Sequence, residues 1–413
     1  MNILFLSTRS PYPLVSGHCL RTYYTLKGAA ERHNVIFVTF IQKEEELKKE
    51  NIDHLKEFCR AVYTFRIPAY SSPLKLFAGL FMNLLSPLPY VAQKYDVPTF
   101  RRKIRKIILK EKIDLVHVDM LPLAQYINEF EDIPKLLVNH NVESIRLFRW
   151  FKKEKNFLKK VYLGLQWLKL KRYEAKTVGK FDACILVSEY DKKLMKRMNP
   201  QAKLFVVPNG TDTEYFKPRD LQEIPNSIVW FGHMDVHTNR DAVLYFWREI
   251  LPIILKKFPD AKIMFVGSDP PKPIVRRSMV DKRIKVTGVV EDIRPYVQQA
   301  AVVVVPIRIG GGTRLKILDA MAMGKAIVST SIGCEGIEVT DGKNILIADS
   351  PNDFASKVVT LLKNDKFRIK LKENARKLAK KYDWRNIQKL QEEVYAYVIN
   401  KHKSKILEEI ISK

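Results

Sequence analysis

Short apolar runs that end in polar or glycine-containing turns recur along the whole chain. Asn2-Ile3-Leu4-Phe5-Leu6-Ser7 has the pattern of a buried strand. A loop with Pro and Gly follows (Ser10 to Gly17), then a helical stretch from Leu20 to Arg32 and a second strand from Val35 to Phe40. This is a β–loop–α–β unit of ordinary length. Similar runs return at Leu115 to Val118, Lys135 to Val138 and Ala183 to Val187. A strand around Phe205-Val206-Val207 ends at Pro208-Asn209-Gly210, and a polar stretch runs on to Pro225, the pattern of a linker. The alternation then restarts: Ile228 to Phe231, a helical Ala242 to Lys257, Lys262 to Val266, Ile284 to Thr287, Ala301 to Val305 and Ala326 to Ser329. Trp384 to Ile411 reads as helix with no strand after it. Strands alternating with helices predict an α/β protein of two doubly wound parallel sheets. The expected division is 1–208, 209–384 and a helical tail, 385–413, crossing back to the first domain.

Composition narrows the function classes. A chain of 413 residues with 46% hydrophobic content can bury two cores. Cys19, Cys59, Cys184 and Cys334 lie far apart, without metal-ligand spacing, which fits a reducing compartment. The start, Met1 to Leu6, lacks a basic leader, and the longest apolar stretch, Leu76 to Tyr90, is interrupted by Asn83, Pro87 and Pro89. It falls short of the ~20 residues a membrane span needs. A cytoplasmic location is expected, with attachment at the inner face of the membrane as an option. The net charge of +27 asks for an anionic partner. Residues 146–180 carry twelve Lys/Arg against two Glu, and 101–112 carry seven against one. The first of these interleaves Phe148, Trp150, Phe151, Phe157, Tyr162 and Trp167 with its cations. Such a helix suits an anionic membrane surface. It equally describes a helix with an apolar core face and solvated lysines.

The sharpest chemical signal lies between Val305 and Gly324. A buried strand enters Gly310-Gly311-Gly312, and a helix is predicted to begin near Thr313. Glycines let backbone N–H groups approach an anion, and a helix start adds partial positive charge. Arg314 and Lys316 bring two cations to the same place, and Asp319 follows with a carboxylate able to accept from two adjacent hydroxyls, as on a ribose. The bland alternative is a glycine-rich turn before a solvated helix. A P-loop is excluded, because the run lacks the Gly-Lys-Ser/Thr ending.

At this segment the chain resembles the retaining glycosyltransferases of family four, which have the GT-B fold, and within them the branch associated with bacterial exopolysaccharide synthesis. The resemblance runs through nearly the whole chain. It rests on Pro11-Tyr12-Pro13 to Gly17 with Arg21, Asn139-His140-Asn141-Val142-Glu143-Ser144, Arg172-Tyr173-Glu174 and Val187-Ser188-Glu189. Val207-Pro208-Asn209-Gly210 with Asp212 and Phe216, Phe231-Gly232-His233-Met234 with Asn239 and Ala242, Phe265-Val266-Gly267 and Gly288 to Asp292 complete it. It implies a nucleotide-sugar donor held by the second domain and a glycan or lipid-linked acceptor held mainly by the first. On it, Asp319 stands where the family's second glutamate binds the donor ribose, Gly288 to Asp292 lie near the base, and Gly17 lies near the diphosphate. His140 matches the histidine beside the reacting sugar. The resemblance also implies no cofactor, no metal and no protein nucleophile, the leaving diphosphate helping to deprotonate the acceptor. No Asp-x-Asp motif falls in a donor loop: Asp235 and Asp241 are isolated.

Two departures from the family pattern stand out. The first of its paired glutamates falls on Gly311, and its usual Arg and Lys in the first glycine loop of the second domain fall on His233 and Thr238. A diphosphate leaving group needs cations or N–H donors as its charge develops, so Arg314 and Lys316 are the replacements the sequence offers. His18 and His233 adjoin glycines in the donor loops, Glu143 serves equally as a helix-start carboxylate, and Trp247 and Trp384 read as core residues. A GT-B epimerase is the competing enzyme class, and a phosphorylase would need a pyridoxal-phosphate lysine context that is not seen. A non-enzymatic nucleic-acid-binding protein is suggested only by the pI of about 9.7 and has no recognised motif behind it; nucleic acid is not an expected partner.

Overall fold

A computed structural model of the chain describes residues 1–68, 72–310 and 312–411. The chain divides into two compact units, Met1–Pro208 together with Ile387–Lys413, and Asn209–Asn386. The first holds β1 (Asn2–Ser7), β2 (Asn34–Ile41), β3 (Ala61–Arg66), β4 (Leu115–Asp119), β5 (Lys135–Val138), β6 (Ala183–Leu186) and β7 (Leu204–Val206), paired in the order β3-β2-β1-β4-β5-β6-β7. The second holds β8 (Ser227–Phe231), β9 (Lys262–Val266), β10 (Ile284–Val286), β11 (Val302–Val305), β12 (Ala326–Ser329) and β13 (Leu346–Ile347), in the order β10-β9-β8-β11-β12-β13. All the pairings between these strands are parallel.

The strands β1 and β11 are continuous apolar runs because both faces of a parallel sheet are covered, while β4 admits the polar His117 and Asp119, each with a hydrogen-bond partner. Ile3 to Leu6 and Val302 to Val305 are buried along their whole lengths. In each sheet the strand order reverses once, between β1 and β4 in the first unit and between β8 and β11 in the second. At such a switch point the loops leaving the carboxyl ends of two neighbouring strands turn to opposite faces and open a crevice.

The helix Trp384–Ile411 joins the first unit from Ile387 onward. Its Tyr395 hydroxyl lies 2.7 Å from Nδ1 of His117 in β4, and Gln391 Nε2 donates to that hydroxyl at 2.8 Å. His117 stacks on Phe5 with ring centroids 3.9 Å apart. Trp384 packs in the second unit, where a Cβ at Gly210 would meet its ring at 2.7 Å. Among the described residues no helix is long and apolar enough to cross a membrane.

Three local details differ from the sequence pattern. The helix after the glycine run begins at Leu315, not Thr313, with Arg314 as its extended N-cap. The stretch expected as one helix from Ala242 starts at His237 and widens into a π-turn over Phe246–Ile250. Pro252 explains the widening, since its ring would collide with the carbonyl four residues back in an ordinary helix. Strand β3 was not anticipated: its residues are half-buried, as befits a sheet edge, and mix Tyr and Thr with apolar positions.

Candidate functional site

The expected site residues gather in two clusters, one at each switch point. In the second unit, β8 leads into Gly232 to Val236 and β11 leads into Pro306 to Arg314. Gly232 adopts φ +136, and a Cβ there would lie 2.9 Å from Nζ of Lys316. Gly310 adopts φ +113, and a Cβ there would lie 2.6 Å from Nη2 of Arg314 and 3.1 Å from Cγ2 of Thr238. Both glycines thus hold a positive-φ backbone that other residues rarely adopt, and each has the tip of a cationic side chain close by. The two cations of the 314–316 segment thus lie against the two switch-point loops, Arg314 beside Thr238 and Lys316 beside Gly232. Gly311 lies outside the described residues. Gly312 has φ +79, and the buried hydroxyl of Thr313 has no hydrogen-bond partner among the described residues.

Lys316 is held tightly. Its Nζ donates to Phe231 O at 2.8 Å and Asn239 Oδ1 at 3.4 Å, and lies 4.6 Å from the centroid of the Trp230 ring. Burial lowers its pKa to about 7, with repulsion from Arg314 adding to the effect and Asp319 opposing it. One turn along the helix, Asp319 accepts from Thr211 Oγ1 at 2.7 Å. Burial raises its carboxyl to about 7, with Asp212 adding to the rise and Thr211 and Lys316 resisting it. His233 is exposed and partnered: Nδ1 lies 2.9 Å from Ser268 Oγ, and its carbonyl accepts from Asn239 Nδ2 at 2.8 Å. Arg308, which sequence reasoning passed over, is paired with Asp241 at 2.9 Å and lies over the Tyr245 ring at 3.9 Å, tying the loop after β11 to the helix after β8.

The first unit's cluster forms at the ends of β1, β4 and β5. The parallel register sets Ser7 beside Asp119, and Asp119 beside Val138, so that His140 follows β5 at the same edge. Asp119 is fully buried and accepts from His140 Nε2 at 2.8 Å, Thr22 Oγ1 at 2.7 Å and Ser7 Oγ at 3.4 Å. Burial alone would raise the Asp119 carboxyl, but the His140 imidazole, by charge and hydrogen bond, holds it well below the usual range. The Asp119 carboxylate accepts from Nε2 and so orients the His140 ring.

His18 lies 4.9 Å from His140 between ring centroids. Burial, reinforced by His140, drops its pKa to about 3, so it is neutral at physiological pH. Gly17 opens the helix Gly17–Ala30, whose N-cap Ser16 accepts from Cys19 N at 3.2 Å. Buried polar atoms that have no partner among the described residues collect at this edge: His18 Nε2 and both ends of the Asn139 amide. Glu143 is the first residue of the helix Glu143–Lys153 and pairs with Arg146. Glu174 holds that helix start, accepting from Glu143 N at 2.9 Å and Ser144 N at 3.1 Å. Among the described residues no group of three or more His, Cys, Asp or Glu is placed to hold a metal ion. Asp119 was missed in the sequence because it reads there as an ordinary strand-end acid. The signal for it was positional, since it closes the strand that pairs with β1.

Residues 20–215 match the family model described as Glycosyltransferase Family 4, and residues 225–364 match that of Glycosyl transferases group 1. A Klebsiella pneumoniae protein, described as an uncharacterized 44.6 kDa protein in the cps region, is 23% identical over 386 residues, covering 88% of this chain and 91% of its own length. The D-inositol 3-phosphate glycosyltransferase of Corynebacterium urealyticum is 25% identical over 218 residues, 47% of this chain and 51% of its own. Among solved structures, sucrose-phosphate synthase from Thermosynechococcus elongatus superposes with a TM-score of 0.69 at 16% identity, covering 97% of this chain and 99% of its own. Anabaena Alr3699/HepE, in complex with UDP and glucose, superposes with a TM-score of 0.65 at 15% identity, covering 96% and 99%. These likenesses show the GT-B fold.

Proposed function

The chain belongs to family four of the glycosyltransferases, and we propose that it moves a sugar from a nucleoside-diphosphate donor to a glycan or lipid-linked acceptor, with retention at the anomeric carbon. The observation that carries this reading is the placement of Arg314 and Lys316 against Gly310 and Gly232. The family pattern puts its cations at positions 233 and 238, where this chain has His and Thr. Arg314 comes to lie beside Thr238 and Lys316 beside Gly232, so positive charge is restored at the same loops from a different element.

As the bond between the anomeric carbon and the diphosphate breaks, charge grows on the leaving oxygen, and these two side chains with the glycine N–H groups stabilise it. The acceptor oxygen bonds to the anomeric carbon and its proton passes to the departing diphosphate. Asp319 accepts from the ribose hydroxyls. The Asp119-oriented His140, with His18 and Asn139 beside it, supplies polar contacts to sugar hydroxyls in the first unit. Arg314, together with Lys316 as the bound diphosphate stabilises its ammonium, does the neutralising work, so the reaction runs without a divalent metal. A role in cell-surface polysaccharide synthesis is supported by the Klebsiella relative in a cps region, and UDP is the first nucleotide to test, given the Anabaena complex.

Calorimetry against a panel of nucleoside diphosphates and nucleotide-sugars, followed by NMR of the product's anomeric configuration, tests the reading. Binding of one donor class and a retained configuration are expected. Absence of binding to the whole panel would overturn it, and conversion of the donor sugar without an acceptor would replace it with the epimerase.

A further inference from the structure

Helix Pro73–Met82 has no buried residue, although it is the sequence Pro-Leu-Lys-Leu-Phe-Ala-Gly-Leu-Phe-Met. Leu74, Phe77 and Phe81 are 78%, 70% and 64% exposed, and Leu85, just beyond, is 87% exposed. Burying each such side chain would contribute about 1.5–3 kcal/mol, so a helix that leaves these four in water lacks a partner. The helix is nonetheless held firmly. Ser72 caps it through Lys75 N, and Asn83, fully buried, accepts from Gln166 Nε2 at 2.6 Å and donates to Leu88 O at 2.9 Å. Lys169 Nζ donates to the Asn83 carbonyl at 2.6 Å. Tyr90 lies between Gly79 on this helix and Tyr162 on the helix Phe157–Val178, its N–H donating to Gln166 Oε1 at 2.8 Å. The apolar helix is thus held by polar links around Asn83 and by half-buried Leu76 and Leu80, while Leu74, Phe77, Phe81 and Met82 stay exposed.

The exposed surface continues onto the long helix. Phe157, Leu158 and Val161 in its first turns are exposed, as is Trp150 on the helix Glu143–Lys153 packed against it. Exposed Lys152, Lys153, Lys155 and Lys159 surround them. Between residues 149 and 169 seven Lys/Arg stand against the single Glu154, and residues 67–95 contain no acidic residue. A second copy of this chain would set like charge against like charge. Nucleic acid would use the lysines but not four protruding aliphatic and aromatic side chains. Apolar side chains that insert, beneath cations that meet headgroups, match the physics of an anionic bilayer surface.

We propose that the surface formed by Pro73–Met82, Leu85 and the first turns of Phe157–Val178 docks the first unit onto an anionic membrane. The proposal stands apart from the transferase reading, since none of these residues belongs to either switch-point cluster.

The test is co-sedimentation of the full chain with vesicles of phosphatidylcholine alone or with phosphatidylglycerol, at low and high salt, alongside heparin binding. Binding confined to the anionic vesicles and weakened by salt is expected. Phe77→Ser with Phe81→Ser, which changes no charge, should reduce vesicle binding at least tenfold while leaving heparin affinity and nucleotide affinity unchanged. Both side chains are exposed, so circular dichroism should show an intact fold. Reversal of Lys152, Lys153, Lys155 and Lys159 to Glu should lower vesicle binding roughly a hundredfold or more, from about tenfold or less per basic residue. Equal absence of binding to both vesicle types at low salt would overturn the proposal. So would vesicle binding untouched by the phenylalanine pair, or sedimentation as a dimer that the same pair abolishes.

Discussion

Lys316→Met keeps the length and apolar stem of the side chain and removes the charge, which makes it the sharpest probe of the donor cluster. If Lys316 meets the donor diphosphate, a hydrogen bond to a charged group is lost, worth about 1.5–3 kcal/mol, or roughly 10- to 150-fold in affinity. Its pKa of about 7 in the free protein adds a pH signature. A bound diphosphate stabilises the ammonium, so above pH 7 binding must take up a proton, and affinity should fall by up to about tenfold per unit. Asp319, also near 7, works in the other sense: it accepts more strongly from the ribose hydroxyls when ionised, so affinity should fall below pH 7. The wild type should therefore bind best near pH 7, while Lys316→Met loses the alkaline limb and keeps the acid one.

Stability should move the other way. The folded pKa of Lys316 lies below its usual 10.5, so between about pH 7 and 10.5 the unfolded chain binds more protons and stability rises with pH. The buried charge costs the fold most at and below pH 7, where the variant should melt no lower than the wild type. Calorimetry of the nucleotide-sugar found in the screen, whose diphosphate does not titrate near neutrality, reads the first effect, and thermal melts read the second. A wild-type affinity flat from pH 7 to 9, or a variant within twofold of wild type, would refute the reasoning.

Asp319→Ala should weaken nucleotide binding by about 1.5–3 kcal/mol by calorimetry, and unchanged affinity in a folded variant would remove the ribose assignment. Asp119→Asn takes a buried carboxylate from His140 and should cost about 3 kcal/mol in urea unfolding. Because the Asp119 pKa is depressed, its stabilisation is present at neutral pH and lost as pH falls below the ordinary carboxylate range, and the variant should lack that acid dependence. Gly310→Ala places a Cβ against Arg314 at positive φ, costing about 1–2 kcal/mol in strain and displacing the guanidinium; donor affinity equal to wild type would count against Arg314 at the diphosphate. Transfer activity should survive EDTA, and activity lost to EDTA and restored by Mn²⁺ would show that Arg314 and Lys316 do not suffice.

Most of the sheet was legible because several central parallel strands, covered on both faces, are continuous apolar runs, as Ile3 to Leu6 and Val302 to Val305 are. Of the four edge strands β7 and β10 were legible, but β3 and β13 were not, being only partly buried or too short to leave a pattern. The glycine run with Arg314 and Lys316 was visible, but not the positive φ of Gly232 or its closeness to Lys316, a residue 84 positions away in the sequence. Asp119 was invisible for a related reason. Its importance comes from the β1–β4 register and from a histidine on another strand's loop, neither of which has a local signature. The helix start moved two residues because Arg314 sits extended, with its guanidinium 3.4 Å from the carbonyl of Ile309.

Because residues 387–413 belong to the first unit, synthesis and folding run in different orders. The second unit is a single stretch of chain and can close as soon as it has left the ribosome. The first has its seven strands early but must wait for Tyr395, and at roughly 5–20 residues per second that wait lasts on the order of ten to forty seconds. Throughout it, His117 at the centre of the sheet lacks the hydroxyl that satisfies it, and the groove meant for Gln391 and Tyr395 stays open to water and to other chains. The nascent first unit is therefore the part of this protein most in need of a chaperone, and a ribosome stalled before residue 395 should release a product in which the later unit resists protease better than the earlier one.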